Sequence, residues 1–278
     1  MNLEQKDLSQ ILETAVVAAR LAGQLAMEEI HFGRGGFETR PYQVKNGTEL
    51  VTEADRRCQQ IIIDRIRETF PDHGFIAEEG DGGRLFKHPP RGKPAIWWVI
   101  DPIDGTNNFA HGIPVFAVSI GAMFEGRPIA GVIFEPATDS IYTAVEGGEA
   151  QLNGRRIMAA EDDISLLTSV GLDSHFGEVL PPGMCEIMKQ SRFRNFGSTA
   201  LQLAYVACGG LVGTVLCTPK LWDVAAGAII VQAAGAVFSD WRGGKLFPLD
   251  LEHYEGQSFR TLAANKKVLP RLIELMNT

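Results

Sequence analysis

Cysteine is scarce in this chain: Cys58, Cys185, Cys208 and Cys217 are the only four in 278 residues. None forms a CxxC or CxxH pair, which excludes the spacing of a structural zinc site or a redox motif. Isolated thiols fit the reducing cytoplasm, the expected compartment. No apolar run approaches the ~20 residues that a membrane-spanning helix needs. The N-terminal stretch is acidic and carries no signal-peptide pattern. Basic residues are outnumbered, 26 Lys and Arg against 34 Asp and Glu, for a formal net charge of -8. General nucleic-acid or membrane-surface binding draws on basic patches, so neither partner is expected. Six histidines lie scattered without ligand spacing. The glycine fingerprints of nucleotide-binding loops and the GxSxG elbow of serine hydrolases are absent. The acidic balance leaves room for an anionic substrate, because a bound divalent metal reverses the local field.

What is present suits a large globular core, with 45% hydrophobic and 22% charged residues,. Leu8, Ile11, Leu12, Ala15, Val16 and Ala19 recur at helical spacing and predict an amphipathic helix over 3–31,. Its mixed charge favours core packing over a membrane surface. A Gly-rich polar loop, Gly33 to Glu49, follows, and Lys45 near its end reads most simply as a solvated lysine. Thr52 opens a second helix to Phe70, with Cys58, Ile62 and Ile66 on one face. A short strand, Phe75–Ala77, ends at Glu78-Glu79, and 80–94 reads as loop. The apolar run Ala95–Ile100 is a strand running into Asp101. Strands at 116–124, 129–134 and 140–145, with a turn at Glu125-Gly126, make an antiparallel meander, and Asn153-Gly154 marks another hairpin. Strands at 165–171, 212–216 and 236–239 then alternate with helices at 198–208 and 223–234, so part of the sheet is expected to be parallel. The change from a meander to alternating strands and helices places a soft boundary between parts 1–155 and 156–278 of one compact unit.

The segment from Asp101 to Phe109, DPIDGTNNF, carries the chemistry. A buried strand delivers two carboxylates three residues apart, and Mg²⁺ is held by a few carboxylates together with water and phosphate oxygens. Asp101, Asp104 and the carbonyl of Ile103 are candidate ligands. Pro102 stiffens the bend, Gly105 allows close backbone approach, and the amides of Gly105 and Thr106 offer a phosphate nest. An Asp-Pro, Asp-Gly turn with self-satisfied polar groups is the plainer alternative. Glu78 and Glu79 are either a metal ligand with its brace or a solvated acidic loop. Asp223, at the start of an Ala-rich helix, is an N-cap or a ligand. Small residues just after it imply a buried helix end, where an unpaired carboxylate is costly. Thr52-Glu53-Ala54-Asp55 resembles a capping box with Asp in the fourth place.

Taken together, LVTEAD (50–55), Glu78-Glu79-Gly80, WVIDPIDGTNNF (98–109), RNFGSTALQLAYVACG (194–209) and LWDVAAG (221–227) resemble the inositol monophosphatase family of metal-dependent, lithium-sensitive phosphatases. The resemblance implies a layered αβαβα sandwich, a homodimer, and Mg²⁺-dependent hydrolysis of a small phosphate monoester with two or three ions. It implies metal ligation by Glu78, Asp101, Ile103, Asp104 and Asp223, and water activation by Glu78 and Thr106. It implies phosphate held by Gly105 and Thr106, and the alcohol touched by Gly197, Ser198 and Thr199. Asp55 matches the family's buried aspartate, Glu79 a supporting residue, and Lys45 its mobile loop. Many members carry a glutamate where this chain has Leu216, which implies that inositol 1-phosphate is not the preferred substrate. Fructose-1,6-bisphosphatase, histidinol-phosphate phosphatase and adenosine bisphosphate phosphatase activities are the alternatives within the superfamily. A regulatory binding protein that keeps the fold is the alternative of another class.

Overall fold

The computed structural model describes residues 5–30, 42–45, 49–81, 84–174, 176 and 180–277, with backbone alone at 42–45 and 49. Helix α1 (Gln5–Glu29) turns Leu8, Ile11, Ala15, Ala18, Ala19, Ala22 and Ala26 into the core. Strands β1 (Tyr42–Lys45) and β2 (Glu49–Thr52) form an antiparallel hairpin. A hairpin thus occupies part of the stretch expected to be loop, while its remainder, 33–41 and 46–48, lies outside the described residues. Thr52 ends β2 in extended geometry and caps α2 (Glu53–Thr69), its backbone N–H donating to Asp55 Oδ2 at 2.8 Å.

The large sheet comprises β3 (Gly74–Ala77), β4 (Phe86–His88), β5 (Ile96–Asp104), β6 (Ala117–Phe124), β7 (Arg127–Glu135), β8 (Ser140–Val145), β9 (Gln151–Leu152) and β10 (Arg155–Arg156). Its order is β10-β9-β8-β7-β6-β5-β3-β4, antiparallel except for the parallel β3–β5 pair. The expected meander is β6–β7–β8, with Glu125-Gly126 at positive φ in its first turn, and Asn153-Gly154, also at positive φ, closes the β9–β10 hairpin. β4 lies in the stretch expected to be loop, because three half-buried residues are too few to show alternation,. A short helix, α3 (Thr106–Ala110), leaves the end of β5.

The second half contains β11 (Ser169–Leu172), α4 (Pro182–Gln190), β12 (Arg192–Arg194), α5 (Thr199–Ala207), β13 (Gly213–Leu216), α6 (Leu221–Ala233), β14 (Val237–Asp240), β15 (Thr261–Ala264) and α7 (Leu269–Met276). Its sheet runs β12-β11-β13-β15-β14, parallel across the first three strands and antiparallel across the rest. β11 begins later than expected because Ser165 and Thr168 close a turn, with Ser165 N–H donating to Thr168 Oγ1 at 2.8 Å. Elements α4, β12, β15 and α7 escaped the sequence reading.

Five layers result. Helices α1 and α2 cover one face of the large sheet, meeting Trp98, Ile100, Val118, Ile120 and Val132. Helices α5 and α6 fill the space between the sheets, against Ala117, Ile133 and Tyr142 on one side and Leu216, Phe238 and Ala263 on the other. Helices α4 and α7 close the outer face of the small sheet. β5 is buried at every position, which explains an apolar run without alternation. Helix α6, apolar all round, is buried on both sides,. It presses into a dent made by the cross-strand partners Gly121 and Gly131. A Cβ on Gly131 would stand 2.5 Å from the Ala226 carbonyl oxygen. No helix among the described residues is long and apolar enough to cross a membrane.

Candidate active site

Residues three apart on a regular strand point to opposite faces. In β5 the pairing shifts: Asp101 faces Ser119 on β6, but Asp104 faces Ala117. Three steps on one strand thus match two on the other, a bulge whose extra residue returns both carboxylates to one side. Asp223 approaches from the first turn of α6. The expectation that it is the N-cap is corrected here: Lys220 holds the cap position, and its N–H donates back to Asp223 Oδ2 at 2.6 Å. Ser119 Oγ donates to the Trp222 carbonyl at 3.1 Å, tying this turn to the strand position opposite Asp101.

Carboxylate oxygens of Asp101, Asp104 and Asp223 all lie within 4.8 Å of one another. Burial is the main force on each; like charge comes next for Asp101 and Asp223, hydrogen bonds for Asp104,. Asp101 is raised well above the ordinary carboxylate range by burial, then by Glu78, Asp104 and Asp223. Asp223 is pushed up to about 8 by burial and by Asp104. Asp104 rises only to about 6, because hydrogen bonds oppose its burial. Ser198 Oγ donates to its Oδ2, as does Ala200 N–H at 2.7 Å, and Thr199 N–H donates to Oδ1 at 3.2 Å. Asp104 therefore sits on the N-terminus of α5, where free amides favour a negative charge.

Asp55 is buried behind this cluster. Its Oδ1 accepts the Thr106 hydroxyl at 3.1 Å, and burial raises it to about 6. Thr106 Oγ1 is also 3.1 Å from the Ile103 carbonyl oxygen. Glu78 is half-buried at the end of β3, and its N–H donates to Ile100 O on the parallel strand β5 at 3.2 Å. Buried Glu79 is held by Gln59, which accepts from its N–H at 2.9 Å and donates to its carbonyl at 2.6 Å. Gly105 has φ 104°, with Val115 O, Gly197 O and Phe116 Cβ closing the space a side chain would need,.

The residues nominated from sequence come together. All of them except Lys45, Asp55 and Glu79 line one cavity of about 1090 Å³. Asp55 and Glu79 support its wall from behind, and the Lys45 side chain lies outside the described residues. Ser198 and Thr199, nominated for the alcohol, also bind Asp104. Gln59 and Asp173 were missed. Gln59 follows Asp55 by one helical turn on the buried face of α2, a polar residue in an apolar stripe that was a readable signal. Asp173 stands beside no motif.

Leu216 requires a correction. It is fully buried between α5, α6 and the small sheet and does not line the cavity. It therefore cannot set specificity by facing the substrate. Leu216→Glu is expected to destabilise the protein by roughly 4 kcal/mol or more, because the new carboxylate is buried without a partner. Denaturant melts check this: native stability together with an altered substrate preference would contradict the placement.

A family model described as the inositol monophosphatase family matches residues 7–277. An inositol-1-monophosphatase of Mesorhizobium japonicum is 35% identical over 245 residues, 85% of this chain and 88% of that protein. A fructose-1,6-bisphosphatase/inositol-1-monophosphatase of Thermotoga maritima is 37% identical over 234 residues, 84% of this chain and 85% of its own. The crystal structure of the extragenic suppressor protein suhB from Bartonella henselae superposes with a TM-score of 0.82 at 28% identity, covering 97% of this chain and 99% of that one.

Proposed function

We propose, on the premise that the chain belongs to the inositol monophosphatase family of phosphoric monoester hydrolases, that it hydrolyses a sugar or polyol monophosphate with Mg²⁺. The observation that carries this reading is the triad of buried Asp101 and Asp104 with half-buried Asp223, their carboxylate oxygens within 4.8 Å of one another. Three like charges at that distance, two of them buried, need protons or cations,. An all-oxygen donor set selects a hard cation. With Glu78 the triad makes four acids for two or three ions, and the Ile103 carbonyl adds an uncharged ligand. When bound, Mg²⁺ would supply Lewis acidity and lower the pKa of water.

The chain's own groups then divide the work. The Gly105 and Thr106 amides hold phosphate oxygens. The Thr106 hydroxyl has one proton, and donation to Asp55 leaves its oxygen to accept from the attacking water. Glu78 orients that water from the other side and takes its proton. Asp55, Glu79 and Gln59 keep Thr106 and Glu78 in place. A second copy of the chain is the proposed protein partner, and the cytoplasm the proposed compartment.

The test is turnover of p-nitrophenyl phosphate against metal. Mg²⁺ is expected to activate and chelator to abolish turnover. Ca²⁺ is expected to inhibit because it takes more ligands at longer distances. Lithium is expected to inhibit at millimolar levels, as the family resemblance implies. Full activity in excess chelator overturns the reading. The Thermotoga relative is named for both fructose-1,6-bisphosphatase and inositol-1-monophosphatase, which supports a panel of sugar and polyol phosphates as the next measurement.

A further inference from the structure

Asp173 lines the same cavity but lies outside the acid triad. It follows β11, whose parallel pairing sets Leu172 beside Val215 of β13. The Asp173 N–H continues that ladder, donating to the Val215 carbonyl at 3.1 Å. The side chain turns to the segment leaving β13. Its Oδ2 accepts the Cys217 N–H at 2.9 Å and the Thr218 N–H at 3.4 Å, and its Oδ1 accepts the Ser174 N–H at 2.7 Å. Backbone amides from two strand ends thus orient this carboxylate at the cavity wall,.

The surroundings suit a hydroxylated ligand. Ser174 Oγ donates to Asn195 Oδ1 at 2.9 Å, and the Gly197 N–H donates to the same oxygen at 2.9 Å. The Asp173 segment is thereby linked to the one that carries Ser198 and Thr199. Lys220, the cation of the adjoining turn, directs Nζ to the Gly256 carbonyl at 2.7 Å. A cavity of about 1090 Å³ is far larger than a phosphate group needs, so the alcohol part of the ester also sits inside.

Accepting the cavity as the phosphatase site of the preceding subsection, we infer that Asp173 is its specificity-determining residue. It accepts hydrogen bonds from hydroxyls on the alcohol and repels a second phosphate there. Polyhydroxylated monophosphates are then preferred over bare aryl esters and over bisphosphates. A carboxylate that merely tied residues 217 and 218 together would affect every ester alike.

The experiment compares kcat/KM for sorbitol 6-phosphate, phenyl phosphate and fructose 1,6-bisphosphate, in the native protein and in Asp173→Asn. The Asn oxygen can still accept a backbone amide, but the charge is gone. The preference for sorbitol 6-phosphate over phenyl phosphate is expected to fall about tenfold, the size of one charged hydrogen bond. Turnover of the bisphosphate relative to sorbitol 6-phosphate is expected to rise by a similar factor. Equal loss on all three esters, with both ratios unmoved, overturns the inference. Asp173→Glu keeps the charge and is expected to keep the discrimination against the bisphosphate; it replaces Asp173→Asn if that variant does not fold. Calorimetric binding of sorbitol 6-phosphate and phenyl phosphate, with Ca²⁺ present, repeats the comparison without turnover. If the native protein cleaves none of the esters, the phosphatase reading falls, and the binding ratio alone decides the role of Asp173.

Discussion

Asp101→Asn is expected to lower turnover by about a thousandfold, equivalent to roughly 4 kcal/mol of lost transition-state stabilisation, while the protein stays folded. The substituted amide can still accept the Ile103 N–H, which donates to Asp101 Oδ1 at 3.1 Å. Its NH₂ group can also donate to Asp223, where the native carboxyl needs a proton to do so. The amide is neutral in this crowded cluster without taking up a proton, so the metal-free variant is expected to melt at or above the native temperature at pH 8. Asp104→Asn is expected to lose as much activity and to lose stability too. Asp104 accepts from Ser198 Oγ and from the Thr199 and Ala200 amides at the start of α5. An Asn amide group turns a donor toward at least one of those donors. From the sequence alone, a nearly isosteric change at Asp104 leaves the fold intact; its bonds to α5 transfer that expectation to Asp101. Turnover and melting temperature measured together decide the matter, and an active Asp101→Asn would remove Asp101 from the ligand set.

The second large effect is on stability against pH. Asp101 is raised well above its ordinary range, Asp223 to about 8, and Asp104 and Asp55 to about 6. Unfolded aspartates titrate near ~3.9. Between that value and about 8 the folded, metal-free protein holds more protons than the unfolded chain, so its stability falls as pH rises. The contribution of these groups is fully present below the unfolded value and is lost as pH passes the folded ones. One extra proton held from pH 6 to pH 8 amounts to about 3 kcal/mol, or a drop of roughly 5–10 °C in melting temperature. Mg²⁺ binds the deprotonated cluster and is expected to flatten that slope and to release protons on binding. Melting curves in chelator and in saturating Mg²⁺, from pH 5 to pH 8, read this directly. A melting temperature in chelator that is level or climbs across the range would sink the account. Asp101→Asn is expected to make the chelator curve shallower.

The site was legible where chemistry and local pattern coincide. An apolar strand ending in Asp101-Pro102-Ile103-Asp104-Gly105 has few other uses, and Thr52 with Asp55 announced the start of α2. The helices 5–29 and 53–69 were visible because their buried faces repeat every three to four residues over many turns,. Elements α4, β12, β15 and α7 were not, being between three and nine residues long, too short for a period to emerge. Asp173 stayed hidden for a different reason. Its partners Cys217 and Thr218 are more than forty positions away, and only the pairing of β11 with β13 brings them together. Leu216 shows the opposite failure: a position was assigned to the cavity from family spacing, and the strand's burial pattern turns it into the core.

The bulge between Asp101 and Asp104 has a consequence for how such a chain can change in length. Without it, two acids three residues apart would diverge to opposite sides of the sheet. Adding one residue between them would throw the second acid out of phase with the first, and removing one would erase the bulge together with Pro102 or the Ile103 carbonyl that accepts the Thr106 hydroxyl,. The interval is therefore a word of fixed length, closed to insertions and deletions even where its middle letters can be exchanged. Gains and losses of residues have to accumulate elsewhere, in connections such as 89–95 and 157–168 that carry no cavity-lining side chain. Across relatives of any divergence, the ruler from the first aspartate to the second should keep its length while the outer loops drift.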